Sequence, residues 1–253
     1  MPIATEPLMP MADKLAMWAP LDAADRAAIL ALPYSVRSLR TNEFLVREDD
    51  TPRYTCLVLS GFAFRHKTAG NGGRQIFSIH MKGDLADLHN SILQIADHNV
   101  QALTDVQAAL IPVAAIRELI ASRPLIAQAM WYDTLVDAAI FREWMLNIGR
   151  RDGRTRTAHM LCEFALRLQV AGLADKTSYE LPMTQEQLAD ALALTNVHIN
   201  RTLKTLESEG LITRSRRAVR IVDFERLATV GDFDRKYLHL ERFAPTLTME
   251  RVR

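Results

Sequence analysis

The sequence predicts an α+β protein: an antiparallel, jelly-roll-like β-roll first, then one long helix, then short helices and a β-hairpin. Three observations support this class. Short segments rich in β-branched and aromatic residues, separated by turn residues, fill most of 44–112. The stretch 124–147 is apolar, contains no glycine and begins with a proline that suits a first helical turn. Two capped helical patterns and an arginine-rich hairpin follow at 184–222.

The N-terminal half contains a predicted helical pair and several strands. Residues 11–32 predict the helices, because the acidic segment 22–25 suits a helix start. The strands are predicted at 44–48, 54–60, 62–68, 74–80, 100–104 and 107–112. Gly61 fits a sharp turn between two of them. Many short strands with such turns imply an antiparallel roll or barrel.

The long helix, at about 124–148, carries two apolar stripes. One consists of Leu125, Ala129, Tyr132, Val136 and Ala139, and the other of Trp131, Leu135, Ala138 and Met145. Such a helix can face both its own β-roll and a second helix. A helix buried inside a larger single domain has the same pattern, so that alternative stays open. Glycines and charges at 149–153 then indicate a hinge, which divides the chain into 1–150 and 151–253.

The composition indicates a soluble cytoplasmic protein. With 253 residues, 49% hydrophobic and 24% charged, the chain can bury two domain cores. No apolar run reaches about 20 residues, and the start MPIATEPLMPMADK lacks the pattern of a signal peptide, so we expect no membrane contact. The net charge of +1 means that any affinity for nucleic acid depends on local cations, such as the arginines at 150–156 and 214–220.

A helix-turn-helix is predicted after residue 183. A first helix begins at Thr184, which forms a capping box with Gln187. Thr195 caps a second helix, and Gly210 suits the end of that helix. The apolar residues of the second helix lie on one side: Ile199, Leu203 and Leu206. This spacing leaves the opposite side of the second helix free for another role.

The opposite side of the second helix has side chains suited to DNA. Val197, Arg201 and Lys204 point outward at about 100° per residue, and His198 and Asn200 lie on the flanks. An arginine can donate two hydrogen bonds to guanine, an asparagine can pair with adenine, and a valine can contact a thymine methyl group. Arg201 is therefore the best candidate for reading bases in the major groove.

A basic β-hairpin follows, with strands at 211–213 and 218–222. The connecting turn, 214–217, contains three arginines and no acid, which suits the DNA backbone. An ordinary αα-hairpin followed by a β-hairpin with solvated charges is the alternative. Thr195, near the positive end of a helix dipole, suits a phosphate. The candidate DNA contacts are Thr184, Thr195, Asn196, Val197, His198, Asn200, Arg201, Lys204, Ser215, Arg216 and Arg217.

This segment resembles the winged helix-turn-helix of the CRP/FNR family of bacterial transcription regulators. The residues that match the family pattern are Thr184, Leu188, Ala189, Leu192, Thr195, Ile199, Arg201 and Leu203. Ala193 departs from it, because the family usually has glycine in this turn and an alanine at positive φ costs on the order of 1 kcal/mol. The resemblance covers nearly the whole chain, strongly at 154–225 and more loosely at 20–150. A tail from about Phe233 extends beyond the usual family end and has no assigned role.

The resemblance implies a sequence-specific transcription regulator and not an enzyme. It implies a cyclic-nucleotide-binding-like β-roll, a homodimer formed through the long helix, and RNA polymerase as a further partner of the DNA-bound protein. A two-fold dimer would bind a pseudo-palindromic operator whose half-sites lie about one turn of DNA apart. Within the long helix, we expect Val136 at the dimer interface. No catalytic residues are expected, because the chain has no G-x-S-x-G elbow, no P-loop and no dinucleotide fingerprint.

The resemblance also bears on the effector. Family members that bind cyclic AMP carry Gly-x-x-Gly-Glu-Leu, whose Glu holds the ribose, and then an arginine for the cyclic phosphate. This chain has Gly-Asp-Leu-Ala-Asp-Leu at 83–88 and no arginine at 97–102. Because the phosphate would lose a charge-assisted pair, we expect no cyclic AMP binding in the family manner. The candidate effector-pocket residues are Asp87, Leu88, His98 and Asn99. A constitutive DNA binder without an effector is the alternative.

Metal cofactors have little support in the sequence. Cys56 and Cys162 are too few for an iron–sulfur cluster within one chain, and both suit buried apolar positions. Four histidines keep open a cupin-like metal-binding enzyme or sensor fused to a DNA-binding module, and also haem ligation: His66, His80, His89 and His98. No H-x-H or H-x-x-x-H pair occurs, so we assign no metal ligand. The sequence leaves the cofactor unassigned.

Overall fold

The computed structural model describes residues 6–240. The helices in this part of the chain are α1 (Met9–Ala16), α2 (Ala23–Leu30), α3 (Val113–Ser122), α4 (Pro124–Arg150), α5 (Gly153–Val170), α6 (Gln185–Leu192), α7 (Asn196–Ser208) and α8 (Phe224–Val230). Its strands are β1 (Ser35–Leu39), β2 (Phe44–Val46), β3 (Tyr54–Ser60), β4 (Ala63–Thr68), β5 (Arg74–His80), β6 (Asn99–Ala102), β7 (Val106–Pro112), β8 (Ser178–Glu180), β9 (Ile212–Ser215) and β10 (Ala218–Ile221). Two short 3₁₀ helices are Leu88–Ser91 and Arg235–Leu238. Within 6–240, no helix has both the length and the apolarity needed to cross a membrane.

The N-terminal half is an antiparallel β-roll, as the sequence predicts. One sheet has the strand order β1-β7-β3, and the other has the order β2-β6-β4-β5. Side chains from both sheets form a small shared core that is rich in alanine and valine. Between β3 and β4, Gly61 has a φ of +78°, and an added Cβ would lie 2.1 Å from the carbonyl oxygen of Asp105. Only glycine fits this turn, so the sharp turn predicted there is confirmed.

Several elements are missing from the sequence-based prediction. β1 is exposed along most of its length, so it lacks the apolar alternation that reveals a strand. β8 has only three residues. α3 and α8 are short helices that follow the predicted strands at 107–112 and 218–222. β2 ends at Val46 and not at residue 48, because the chain turns at Asp49, whose φ is +70°. β1 and β8 pair with β7 and β10, which are distant in sequence, so no local pattern predicts them.

α4 is 27 residues long, and its two apolar stripes differ in burial. The buried side of α4 carries Ile126, Ala129, Met130, Val136, Ala139, Ile140 and Trp144. The other stripe is exposed at Trp131, Leu135 and Met145, whose exposed fractions are 69%, 50% and 74%. The expectation that Val136 lies at a dimer interface is wrong, because Val136 is only 7% exposed and lies on the side that packs within the subunit.

A two-residue connection joins α4 to the C-terminal half. The helix continues through Gly149 to Arg150, and α5 begins at Gly153. The side chain of Asp152 caps α5 by accepting a hydrogen bond from the Thr155 N–H group (2.8 Å). Arg151 forms ion pairs with Glu143 of α4 (2.6 Å) and with Asp232 (2.8 Å). The break predicted at 149–153 is therefore a short connection held on both sides by side chains.

The first part of the C-terminal extension packs on the rest of the protein. Leu238 is buried, and the Tyr237 hydroxyl lies 3.0 Å from Nε2 of the buried His159 in α5. The Phe233 ring also contacts the rings of His159 and Tyr237. Residues 233–240 thus have a packing role, which the sequence left unassigned. The remainder of the extension, 241–253, lies outside the described residues.

Glu163 is a buried carboxylate of α5 that connects four parts of the chain. Its oxygens accept hydrogen bonds from the indole N–H of Trp144 in α4 (3.0 Å) and from the Tyr237 hydroxyl (2.7 Å). Arg167, one turn later, lies 3.3 Å from Glu163 and donates a hydrogen bond to the carbonyl oxygen of Ile79 in β5 (2.5 Å). Removing one partner from such a buried charged group leaves the others without compensation.

We expect Glu163→Ala to lower the free energy of unfolding by about 3–5 kcal/mol, because Arg167 and the Trp144 N–H lose a buried acceptor. Urea denaturation followed by circular dichroism measures this change. Glu118→Ala is the matched control, since Glu118 is an exposed acid of α3 and its loss should change the free energy by less than about 0.5 kcal/mol. Equally small losses for both variants would contradict the role given to Glu163.

Candidate DNA-binding surface and sensor cavity

α6 and α7 form a helix-turn-helix whose caps agree with the sequence pattern. The Thr184 hydroxyl accepts a hydrogen bond from the Gln187 N–H (3.2 Å), and the Gln187 side chain accepts one from the Thr184 N–H (2.9 Å). The capping box is therefore confirmed. In the turn, Ala193 has a φ of +52°. Thr195 then caps α7 by accepting a hydrogen bond from the His198 N–H (3.2 Å).

The outer face of α7 is open. Val197 is 78% exposed, and Arg201 and Lys204 are exposed on the same face. Within residues 6–240, neither of these two cations has a hydrogen-bond or ion-pair partner. The opposite face of α7 is buried at Ile199, Leu203 and Leu206. The helix therefore presents two free cations and one apolar side chain in the arrangement that the periodicity predicts.

Two side chains of α7 that are predicted to contact DNA instead contact other residues of the protein. The Asn200 amide exchanges two hydrogen bonds with the Gln185 side chain of α6, at 2.8 Å and 2.6 Å. The His198 ring packs on Gly153, where an added Cβ would lie 2.7 Å from Nε2. Thr195 and Asn196 remain exposed at the start of α7. Sequence periodicity alone could not separate engaged from free residues on the flanks of the helix.

The hairpin of β9 and β10 has three exposed residues at its tip: Ser215, Arg216 and Arg217. Arg216 has a φ of +55°, as is usual in a tight turn. At the base of the hairpin, Arg214 forms an ion pair with Glu207 of α7 (2.7 Å). This pair ties the wing to α7 and removes Arg214 from the set of free cations.

The arginines at 150–156 are largely unavailable to DNA, which corrects the expectation that this cluster supplies cations. Arg154 forms an ion pair with Glu209 (2.5 Å). Arg156 donates hydrogen bonds to the carbonyl oxygens of Arg151 (2.7 Å) and Leu192 (2.9 Å). Composition could not reveal this difference, because it depends on acids and carbonyl groups that are brought close by folding.

The β-roll contacts the helix-turn-helix directly. Arg74 at the start of β5 forms an ion pair with Asp190 of α6 (2.7 Å). The adjacent Gln75 donates a hydrogen bond to the carbonyl oxygen of Ala191 (3.3 Å). Strand β5 therefore runs from the roll to the end of α6, just before the turn that positions α7.

A cavity of about 660 Å³ lies between α1, the β-roll, α4 and α5. Its wall carries paired charges: Lys14 lies 2.7 Å from Asp84 and 3.0 Å from Asp133, and Arg65 pairs with Asp137. Burial alone would lower the pKa of Lys14, but these carboxylates raise it above its usual range. Lys14 and Arg65 are thus already neutralised by acids of the protein.

The predicted effector-pocket residues do not form one site. Leu88 lines the cavity. Asp87 is fully buried, and its Oδ1 accepts a hydrogen bond from the Cys56 N–H (2.8 Å). Asn99 accepts a hydrogen bond from the Glu48 N–H (3.1 Å), which is a structural role within the roll. His98 lies beside a residue that the pocket prediction omits, His89, with 4.9 Å between the ring centroids.

His89, Asp97 and His98 form a cluster of possible metal ligands. One ligand atom of each side chain lies within 4.8 Å of the other two. These three residues have no recognised metal-ligand spacing in the sequence, because His89 belongs to the 3₁₀ helix and the other two residues follow a surface loop. The adjacent Asp-His pair at 97–98 was the only local signal.

The two cysteines are buried, as expected. Cys56 lies in the small core inside the roll, whereas Cys162 lies in the main core with the DNA-binding half. Burial raises the pKa of both thiols above the usual value. Both side chains therefore act as small apolar groups at neutral pH.

Two family models match the chain. The cyclic nucleotide-binding domain matches 36–123, and the Crp-like helix-turn-helix domain matches 155–230. The chain belongs to the CRP/FNR family of transcription regulators. As a CRP/FNR regulator, it has a helix-turn-helix DNA-binding domain, and the two matches correspond to the β-roll and to the helices and wing described above.

Similar proteins support this assignment. Transcriptional activator protein FnrL of Cereibacter sphaeroides is 27% identical over 84% of this chain and 86% of that protein. Nitrogen fixation regulation protein FixK of Azorhizobium caulinodans is 24% identical over 68% of each chain. The solved structure of FixK2 from Bradyrhizobium japonicum has the same fold, with a TM-score of 0.73 and 24% identity over 79% of this chain and 98% of that chain. FnrL and FixK are regulatory proteins, and this chain is likewise a regulator and not an enzyme.

We expect Ala193→Gly to raise the free energy of unfolding by about 1 kcal/mol, because glycine removes the Cβ strain of the left-handed turn. The matched control is Ala27→Gly in α2, an exposed alanine in a right-handed helix, where the same change should lower the free energy by about 1 kcal/mol. Thermal and urea denaturation measure both. A loss of stability in both variants would contradict strain at Ala193.

Proposed function

We propose that this protein is a cytoplasmic, homodimeric regulator that binds a pseudo-palindromic operator with α7 in the major groove. The observation that carries the proposal is the open face of α7, where Val197, Arg201 and Lys204 are exposed and the two cations lack partners within residues 6–240. Free cations on a helix that fits the major groove suit DNA, because they can bind guanine edges and phosphates without first breaking ion pairs.

The contacts divide into base readers and backbone contacts. Arg201, at the middle of the open face, reads bases, and Val197 contacts a thymine methyl group. Thr195 and Asn196 lie at the N-terminus of α7, where the helix dipole favours a phosphate. Ser215, Arg216 and Arg217 at the wing tip hold the backbone of the same half-site. Asn200 and His198 support α7 through Gln185 and Gly153, and Thr184 caps α6.

The exposed stripe of α4 is the proposed dimer interface. Trp131, Leu135 and Met145 leave a long apolar surface in contact with solvent in the single chain, and a second copy of α4 would cover it. A two-fold dimer then presents two copies of α7 to successive major grooves.

We also infer RNA polymerase as a partner, since a regulator bound at a promoter acts by recruiting or blocking it.

A small effector in the β-roll, other than cyclic AMP, is the proposed control. The cavity has a volume suited to a small ligand or ion. Cyclic AMP would need an unpaired guanidinium for its phosphate. Arg65 pairs with Asp137, and Arg167 pairs with Glu163, so neither arginine of the cavity wall is free. A constitutive DNA binder is the second possibility, and it predicts the same DNA affinity with and without ligand.

We expect Arg201→Ala to weaken binding to the selected operator by about 1–3 kcal/mol, with little effect on random DNA, because the lost contacts are to bases. Arg216→Ala should weaken both by a similar factor and reduce the salt dependence of binding. Fluorescence anisotropy at several salt concentrations measures the affinities, after genomic-fragment selection of the operator. Added cyclic AMP should leave them unchanged.

Arg40→Ala is the control for this experiment, since Arg40 is an exposed arginine of the β-roll and should affect neither affinity. Equal losses on operator and random DNA for Arg201→Ala would remove Arg201 as a base reader. An operator affinity that is the same in all three variants would remove α7 and the wing as the DNA-binding surface.

We expect Leu135→Glu to convert the dimer to a folded monomer, because a carboxylate would be buried without a partner in the interface. Its neighbour Val136 provides the contrast: Val136→Glu places the charge inside the subunit and should lower the melting temperature. Analytical ultracentrifugation and thermal denaturation distinguish the two results. A Leu135→Glu protein that sediments as the wild type would place the dimer interface elsewhere.

A further inference from the structure

Two neighbouring imidazoles, His89 at the cavity wall and the buried His98, each have a buried Nε2 atom without a hydrogen-bond partner among the described residues. Their ring centroids are 4.9 Å apart. Leaving buried polar atoms unpaired is unfavourable, and one cation between the two rings would satisfy both atoms.

The proton positions favour a cation between these rings. Nδ1 of His98 lies 2.6 Å from Oδ1 of Asp97, so the N–H group of this ring is donated to the carboxylate and Nε2 keeps its lone pair. Neither Nε2 atom receives a hydrogen bond from the residues at 6–240, so both are available to a cation.

We propose that the Nε2 atoms of His89 and His98 bind one divalent transition-metal ion of the zinc and ferrous-iron class, and that this ion is the effector of the β-roll. Imidazole nitrogens are donors that such ions prefer, whereas magnesium and calcium prefer oxygen ligands only. Asp97 orients the His98 ring through its hydrogen bond to Nδ1 and is not itself a ligand. His89 lines the cavity, which gives the ion a route to the site and leaves a coordination position for water.

The site has a physical connection to α4 and to the helix-turn-helix. The Phe77 ring of β5 packs edge-on against His98, with 5.8 Å between centroids, and also against Phe141 of α4 at 5.4 Å. The same strand carries Arg74, which pairs with Asp190 of α6. A shift of the His98 ring on metal binding would thus move a strand that contacts both the dimerisation helix and the DNA-binding domain. This step rests on the proposed DNA-binding function.

The test uses the untagged full-length protein after removal of metal with a chelator. Co²⁺ is added while visible absorption is recorded, and Zn²⁺ affinity is measured by competition with a chromogenic chelator. We expect one ion per chain, with Co²⁺ bands typical of nitrogen and oxygen ligands. His89→Ala and His98→Ala should each weaken binding by about 100-fold or more, and Asp97→Asn by about 10–100-fold. Millimolar Mg²⁺ should not compete.

His239→Ala is the matched control, because His239 is exposed and its loss removes only adventitious surface binding. His89→Gln and His98→Gln repeat the measurement if an alanine variant does not fold, as judged by circular dichroism. Weak Co²⁺ binding that the histidine variants leave unchanged would overturn the site, as would the absence of stoichiometric binding in the wild type.

DNA binding separates this proposal from the function on which its regulatory part rests. Operator affinity should change at least about 5-fold between metal-free and metal-loaded protein, as is typical of coupled sites, and should not change in His98→Ala. Operator binding without any Co²⁺ binding would overturn the metal site and leave the proposed DNA-binding function standing. Co²⁺ bound through His89 and His98 in a protein that binds no DNA would support the site and overturn the proposed function.

Discussion

The buried carboxylate of Glu163 determines how the two halves of this protein meet. It accepts hydrogen bonds from Trp144 of α4 and from Tyr237 after α8, and it pairs with Arg167, which also bonds the carbonyl oxygen of Ile79 in β5. A charge buried in this way is stable only with all of its partners in place. The packing of α5, and with it the orientation of the helix-turn-helix, therefore depends on contacts with α4 and with the β-roll.

β5 is the second connection between the halves, and it gives the roll a means of influencing DNA binding. Its first residues bond α6, and its middle contacts His98 on one side and α4 on the other. Any ligand that moves this strand acts on α4 and on the helix-turn-helix together. A ligand changes DNA affinity only by the difference in its affinity for the two arrangements, so this shared strand is where such a difference would arise.

Local sequence patterns predicted the features that depend on residues close together in the chain. Thr184, Gln187 and Thr195 lie at the predicted caps, because capping involves residues three positions apart. Ala193 takes the left-handed conformation that its place between two helices requires. Local patterns did not predict which arginine side chains are free to bind DNA. Arg154 and Arg214 look as free in the sequence as Arg201, yet both pair with acids of α7 or its end. Such pairing depends on tertiary contacts.

The sequence by itself determined the order of the elements, the family of the protein and the face of α7 that points outward, since helical and strand periodicities follow from backbone geometry. Only the tertiary structure decided which stripe of α4 is covered, with Val136 buried and Leu135 exposed. It also decided that His89 lies beside His98 and Asp97. These facts depend on how a 3₁₀ helix and a surface loop close over the roll, and no short-range pattern in the chain records that closure.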